Sequence, residues 1–283
     1  MDAATLESWT GRTEVRTETI SPAPAQALAA TLNQDPEAFR PGAALPPLWQ
    51  WMYFLPQART CDIGPDGHPE RGGFLPPVAL PRRMWAGSRC RFPGTLRIGE
   101  EVTRTSRILK VTGKSGRAGA MVFVTVLHAW SVAGAVRGEE EQDIVYLPIP
   151  EVFSPPEAVA VPDGTWRERV MIDAVLLFRF SALTFNAHRI HYDRAYATQT
   201  EKYPGLVIHG PLQAILLMEA ARRWSPGLQV AAFEFRGLRP LFDFDEVSVC
   251  GRRLEDGRIE LNTCDGAGAA GMRALLTPAG DTG

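Results

Sequence analysis

Three of the chain's five histidines, His188, His191 and His209, fall in the stretch Phe180–Asp193 and the short segment Leu206–Leu212 that follows it. An asparagine (Asn186) and two carboxylates (Asp193, Glu201) accompany them. A histidine close to its ordinary pKa of ~6.5 can take up and give back a proton at neutral pH. Gly210-Pro211 then opens the apolar run Leu212–Met218. A proline at the first position of a helix loses no hydrogen bond, so this step marks a helix N-terminus with unpaired N–H donors. Acid–base groups and donors suited to a developing oxyanion therefore lie close together in the chain.

The elements around this stretch are read from pattern. Residues 1–20 form a polar lead-in with a short helix. Ser21-Pro22 starts a helix through Leu32, with Ser21 as its cap. The aromatic run Trp49–Leu55 behind Pro46-Pro47 reads as a buried helix or, less readily, a strand, and as core rather than a ligand platform. Residues 59–83, rich in Gly and Pro, read as a long loop of the kind that lines a pocket. β-Branched and aromatic residues mark strands at Trp85–Phe92, Glu101–Thr112 and Ala120–Val132, with Lys114-Ser115-Gly116 as a hairpin turn. Glu139-Glu140-Glu141 reads as a solvated turn. Val170–Phe180 is expected as a strand and 212–221 as a helix, with Arg222 and Arg223 suited to its last turn. Strands follow at Gln229–Arg236, Glu246–Arg253 and Arg258–Thr263, with Asp256-Gly257 as a turn, and a last one at Met272–Leu276.

Composition bounds the function. The chain has 283 residues, 45% apolar and 22% charged, enough for a substantial core, and its net charge of −2 argues against nucleic-acid binding through overall basicity. Four scattered cysteines (Cys61, Cys90, Cys250, Cys264) form no CxxC pair and read as reduced thiols. No leader-like or membrane-spanning run is present, so a cytoplasmic protein without a membrane partner is expected.

The halves repeat each other faintly. Thr31–Asp35 lines up with Thr184–His188, Pro47-Leu48 with Pro211-Leu212, and Leu96–Val102 with Leu241–Val247. Residues 148–164 carry five prolines between them and read as a linker. Two copies of a helix-plus-antiparallel-sheet unit are expected, at 1–147 and 165–283. The first copy has no histidine in its motif, which assigns it packing and substrate binding rather than catalysis. Asn33 reads as a turn residue.

Thr184-Phe185-Asn186-Ala187-His188-Arg189-Ile190-His191 and His209-Gly210-Pro211-Leu212 resemble the motif and helix start of the MaoC-like hot-dog hydratases and dehydratases of acyl thioesters. Trp49–Phe54 and Gly72-Gly73-Phe74-Leu75-Pro76-Pro77 with Pro81–Gly87 are similar to the branch with mesaconyl- and itaconyl-type CoA hydratases and mitochondrial hydroxyacyl-thioester dehydratases. The resemblance implies an α+β double hot-dog fold and reversible hydration of an α,β-unsaturated acyl-CoA, in particular a short branched dicarboxylic one. The alternatives are a 3-hydroxyacyl-thioester dehydratase of fatty-acid synthesis and a non-catalytic acyl-CoA-binding module. It implies no cofactor beyond the CoA thioester substrate, and a homodimer is plausible for the family.

The resemblance places His191 at the catalytic histidine. Asn186 stands where the family has an aspartate and His188 where it has an asparagine. An amide cannot take a proton, so either His191 shuttles one alone or His188 is the second group. Gly210 supplies the oxyanion N–H. Arg189, His209, Arg82, Arg83 and Tyr203 are candidates for substrate binding, an arginine being required to pair with a free carboxylate. The competing readings are buried structural histidines and a zinc site at His188, His191 and His209, although i,i+3 spacing suits zinc less than i,i+4.

Overall fold

The computed structural model describes residues 6–116, 119–164 and 166–280. Ten strands form one antiparallel sheet. In chain order they are β1 (Thr13–Thr19), β2 (Arg82–Arg91), β3 (Glu101–Gly116), β4 (Gly119–Val132), β5 (Ala135–Leu147), β6 (Trp166–Val170), β7 (Val230–Gly237), β8 (Val247–Arg253), β9 (Ile259–Cys264) and β10 (Ala270–Pro278). Among the described residues three α-helices of ten residues or more accompany them: α1 (Pro22–Thr31), α2 (Ala174–Leu183) and α3 (Gly210–Trp224).

The spatial order β1-β3-β4-β5-β2-β7-β10-β9-β8-β6 reads as two five-stranded units placed edge to edge, each strand of the first matching one of the second. The units join where β2 pairs antiparallel with β7, from Gly87 opposite Arg236 to Arg91 opposite Ala232. Equivalent backbone bonds recur as well: Leu45 N–H donates to Leu96 O at 2.8 Å, and Ile208 N–H to Leu241 O at 2.9 Å. The faint sequence repeat is thus a structural duplication, and the architecture is the expected double hot-dog. Its register near the helix ends is shifted by one. Asn33 and Phe185, each two residues beyond a helix, both have positive φ (57° and 48°), so Asn33 corresponds to Phe185 rather than Asn186.

The two units differ in their central helix. In the second, α3 buries Leu212, Ala214, Ile215, Leu217, Met218, Ala220 and Ala221 against the sheet. In the first, the expected helix at 49–55 is only a 3-10 turn, Trp49–Met52. Left-handed backbone at Leu48 and Phe54 and then Pro56 cut it short. Trp49 is nonetheless fully buried, and its indole N–H donates to Glu219 Oε1 on α3 at 3.0 Å.

Other expectations are corrected. Residues 13–19 are an edge strand whose faces alternate exposed and half-buried, a polar pattern that hides its pairing with β3. Val170–Phe180 is not a strand. β6 ends at Val170, and Asp173 caps α2 by accepting the Leu176 N–H at 2.8 Å. Lys114, Ser115 and Gly116 belong to β3, and the turn itself lies outside the described residues. Glu139-Glu140-Glu141 lies within β5, not in a turn. Asp256-Gly257 makes the anticipated hairpin turn, with Gly257 at φ 82°. Ser21 precedes α1 but makes no side-chain cap bond. Among the described residues no helix is long and apolar enough to cross a membrane.

At the junction, a Cβ on Gly87 would lie 2.3 Å from Phe235 O, a backbone atom that cannot retreat without opening the ladder. Gly87→Ala is therefore expected to cost about 2 kcal/mol or more. Urea unfolding, compared with wild type as a shift in midpoint at constant slope, measures it.

Candidate active site

The motif loop leaves α2 through a left-handed residue, Phe185 (φ 48°), and Asn186 N–H donates back to Ser181 O at 2.8 Å. Asn186 then turns the chain: its Oδ1 accepts the His188 N–H at 3.0 Å. One tight turn, Arg189–His191, follows and carries the His191 ring inward. His191 Nδ1 lies 2.7 Å from Val207 O. A carbonyl only accepts, so Nδ1 bears the proton and Nε2 keeps its lone pair.

His191 stacks on His209, ring centres 3.6 Å apart and 19° from parallel, and stands edge-on to His188 at 5.4 Å. Burial, followed by the neighbouring His209 and His188, pulls the His191 pKa well below its ordinary value. His209, fully buried at the residue before α3, contacts Ser181 Oγ through Nε2 at 2.8 Å. Burial and His188 push its pKa down to about 3. Gly210 opens α3 beside these rings. The first N–H groups of a helix have no intrahelical acceptor, and the helix dipole makes them a ready site for negative charge.

The first unit contributes as well. Its loop brings in Asp66-Gly67-His68, and His68 lies 4.2 Å from His188, ring centre to ring centre. Asp66 Oδ2 takes the His68 Nδ1 contact at 3.0 Å and Oδ1 accepts the His68 backbone N–H at 3.0 Å. Arg189 N–H donates to Asp66 O at 2.9 Å. At Gly67 (φ 90°) a Cβ would fall 1.7 Å from Ala187 O, so this close approach requires glycine. Burial raises the Asp66 carboxyl, but the hydrogen bonds and charge of His68 outweigh it and hold the group below the usual carboxylate range. Burial, then the charge of Arg83, brings His68 down to about 3.

These groups face a cleft of about 1080 Å³ that crosses both units. His191, His188, Asn186, Gly210, Arg83 and Tyr203 line it. His209 backs His191 from behind. Arg82 is instead a buried strut: its Nε donates to Glu201 Oε2 at 2.9 Å, its Nη2 to Glu201 O at 2.6 Å, and its guanidinium lies over Tyr203. Glu201 Oε1 also meets His188 Nε2 at 3.4 Å. Arg189 is taken up by Asp193 at 2.7 Å and by Pro65 O. The three histidines of the zinc reading do not converge. The ligand-type atoms that do, among the described residues, belong to Asp66, His68 and His188.

Sequence reasoning missed Asp66, His68 and Glu140. The first two announced themselves only as an Asp-Gly-His step in a loop long enough to line a pocket. Glu140 accepts from Trp51 Nε1 at 2.8 Å and from Ser88 Oγ at 2.6 Å, lines the same cleft, and is pushed up to about 7, by burial above all.

Neutral imidazole beside a helix N-terminus, in a cleft between two hot-dog units, is the arrangement expected of a MaoC-like hydratase or dehydratase. The chain belongs to the family described as hydroxyacyl-thioester dehydratase type 2, whose model matches residues 48–243. A mesaconyl-C(4)-CoA hydratase of Chloroflexus aurantiacus is 47% identical over 280 residues, 98% of this chain and 99% of that one. Among solved structures, a MaoC-like dehydratase of Phytophthora capsici covers 99% of both chains with a TM-score of 0.72 at 10% identity. HtdX of Mycobacterium tuberculosis aligns with 95% of this chain and 100% of its own, with a TM-score of 0.67 at 17% identity. The fold is shared with both.

The buried histidines make stability pH-dependent. His68, His128 (about 4), His191 and His209 all have folded pKa values below the unfolded ~6.5, so the unfolded chain binds more protons as pH falls. Each contributes stability above pH ~6.5 that is lost on acidification, at about 1.4 kcal/mol per pH unit. Glu140, raised to about 7, acts oppositely between there and its unfolded 4.5 and offsets one of the four. Urea midpoints are expected to fall steadily from pH 6.5 to 5.

Proposed function

We propose that the protein reversibly hydrates the double bond of an α,β-unsaturated acyl-CoA, and that its substrate is a short branched dicarboxylic one of the mesaconyl-C4-CoA type. The full-length relative of that name supports the substrate class. The observation that carries the chemistry is the His191 ring, tied through Nδ1 to Val207 O and stacked at the head of α3 with Nε2 free.

In this reading the thioester oxygen lodges on the Gly210 N–H, where hydrogen bonding and the α3 dipole stabilise the enolate charge. His191 Nε2 accepts a proton from water as the oxygen attaches to Cβ. The resulting imidazolium is destabilised by burial and by its imidazole neighbours, so it returns that proton readily to Cα. One group thus serves both directions, and dehydration, the reaction in the family's description, is the same path reversed. Asn186 cannot hold a proton; its carbonyl oxygen fixes His188 N–H, and its NH₂, unused by any described residue, is left to orient the water. His188, hydrogen-bonded to a glutamate already paired with Arg82, supports the wall of the site. Asp66 and His68 close the cleft from the first unit. The scheme calls on no cofactor beyond the substrate's own coenzyme A.

His191→Ala is expected to lower kcat on mesaconyl-C4-CoA by roughly 10²–10⁴ with the fold intact by circular dichroism. Loss of the enoyl-thioester absorbance follows the reaction, and undiminished turnover would remove the mechanism. Because His191 stays unprotonated far below pH 6.5, initial rates on folded enzyme should stay flat from pH 8 through 6.5. A half-maximal point at an ordinary histidine pKa that vanishes with His191 would contradict the assignment.

A further inference from the structure

Arginines on the cleft wall are nearly all taken up. Arg16 pairs with Glu14 at 3.0 Å, Arg104 with Glu14 at 3.3 Å and Arg239 with Asp265 at 3.3 Å. Arg71 donates to the carbonyls of Val78, Leu80 and Pro81. Arg83 is different. It is half-buried, lines the cleft, and has no carboxylate within ion-pair distance among the described residues. Its polar neighbour is the buried hydroxyl of Tyr146, the residue opposite it across the β2–β5 ladder. Asp66, the carboxylate whose charge also reaches Tyr146, has given both oxygens to His68.

A guanidinium that faces the cleft without a counter-charge, held from one side by a tyrosine hydroxyl, matches a ligand carboxylate to which its fork can donate two parallel N–H bonds. Leaving a half-buried guanidinium without a counter-charge is costly, so it points to an anionic ligand that completes it.

The position agrees with the chemistry. The rings follow one another from His209, behind the wall, through His191 and His188 to His68, with centre spacings of 3.6, 5.4 and 4.2 Å. Gly210 and its oxyanion donors lie at the first end. Arg83 stands on β2 two residues before Trp85, whose carbonyl oxygen would lie 3.8 Å from a Cβ on Gly210, and its charge acts on His68. In a butenedioyl thioester the carbonyl oxygen and the free carboxylate sit at opposite ends of the double bond, with the carboxylate on the Cβ that receives the hydroxyl.

We propose that Arg83, positioned by the Tyr146 hydroxyl, forms a subsite for the free carboxylate of a β-carboxylated enoyl-CoA and selects it over enoyl-CoA esters with an alkyl group in place of that carboxylate. The substrate's identity rests on the hydratase reading; the carboxylate subsite is tested apart from it.

Two stable thioethers serve as probes, S-(3-carboxypropyl)-CoA and S-butyl-CoA, which differ in the carboxylate and cannot be hydrated. By isothermal titration calorimetry, wild type should bind the carboxylated probe roughly 10- to 150-fold more tightly. Arg83→Gln should bring the two affinities together while its thermal midpoint stays near the wild-type value, since Arg83 has no ion pair to lose and a glutamine amide can still reach the Tyr146 hydroxyl. Tyr146→Phe should remove part of the discrimination. In turnover, Arg83→Gln should lower the kcat/KM ratio of mesaconyl-C4-CoA over crotonyl-CoA by a similar factor, chiefly through KM. Equal binding of both probes by wild type, or discrimination that survives Arg83→Gln, overturns the subsite. Retained discrimination without turnover of any enoyl-CoA supports the subsite and rejects the hydratase reading.

Discussion

The backbone ladder between β2 and β7 is the constraint on which the rest depends. Five residue pairs turn two five-stranded units into one sheet and fix which parts of each unit face the shared cleft. On β2 the Trp85 indole N–H donates to Ser88 Oγ, which in turn donates to Glu140 on β5, while α3 from the second unit packs over the junction. The Gly87 approach to Phe235 O leaves the ladder little room to slide. A change in this register would displace Arg83, four residues earlier on the same strand, relative to Gly210.

Within that frame the site is organised by where negative charge is allowed. The motif position that the family usually gives to an aspartate is an asparagine, so no carboxylate lies in the loop beside His191. Carboxylates stand at the margins instead, each already engaged: Glu201 by Arg82, Asp66 by His68, Asp193 by Arg189. A carboxylate touching His191 would stabilise its imidazolium and make it a poorer acid for returning a proton to carbon. Burial, with His209 and His188 as neighbours, does the opposite. The substitution at 186 and the crowding of imidazoles are therefore two parts of one electrostatic arrangement.

Much of the fold was legible because strands such as β4 and β8 announce themselves through β-branched residues, and because Ser21-Pro22, Gly210-Pro211 and Asp256-Gly257 carry local turn and cap chemistry. The failures share a cause. β1 is polar and pairs at an edge, so burial leaves little trace in its pattern; its one apolar residue, Val15, is 60% exposed. The run at 174–180 is apolar except for Arg179, a pattern that suits helix and strand alike, and the Asp173 cap decides for helix. At 49–55 helix-forming composition loses to left-handed backbone at both ends. In the site, His191, Asn186 and Gly210 were readable as a contiguous motif. Asp66 and His68 were not, since their place depends on a glycine backbone touching Ala187 about 120 residues away.

The duplication gives these misses a common logic. Where the second unit lays a 15-residue helix under its sheet, the first has four residues of 3-10 turn and then a long loop. A long helix there would fill the space that Trp51, Glu140 and Tyr146 now border. Its loss leaves polar groups of β5 facing a cavity, which an apolar core would not tolerate unless something polar enters it. The same loop carries Asp66, Gly67 and His68 across to the motif of the other unit. The first unit thus has one wall of the cleft where the second has its long helix, and the histidine motif that faces this wall comes from the second unit.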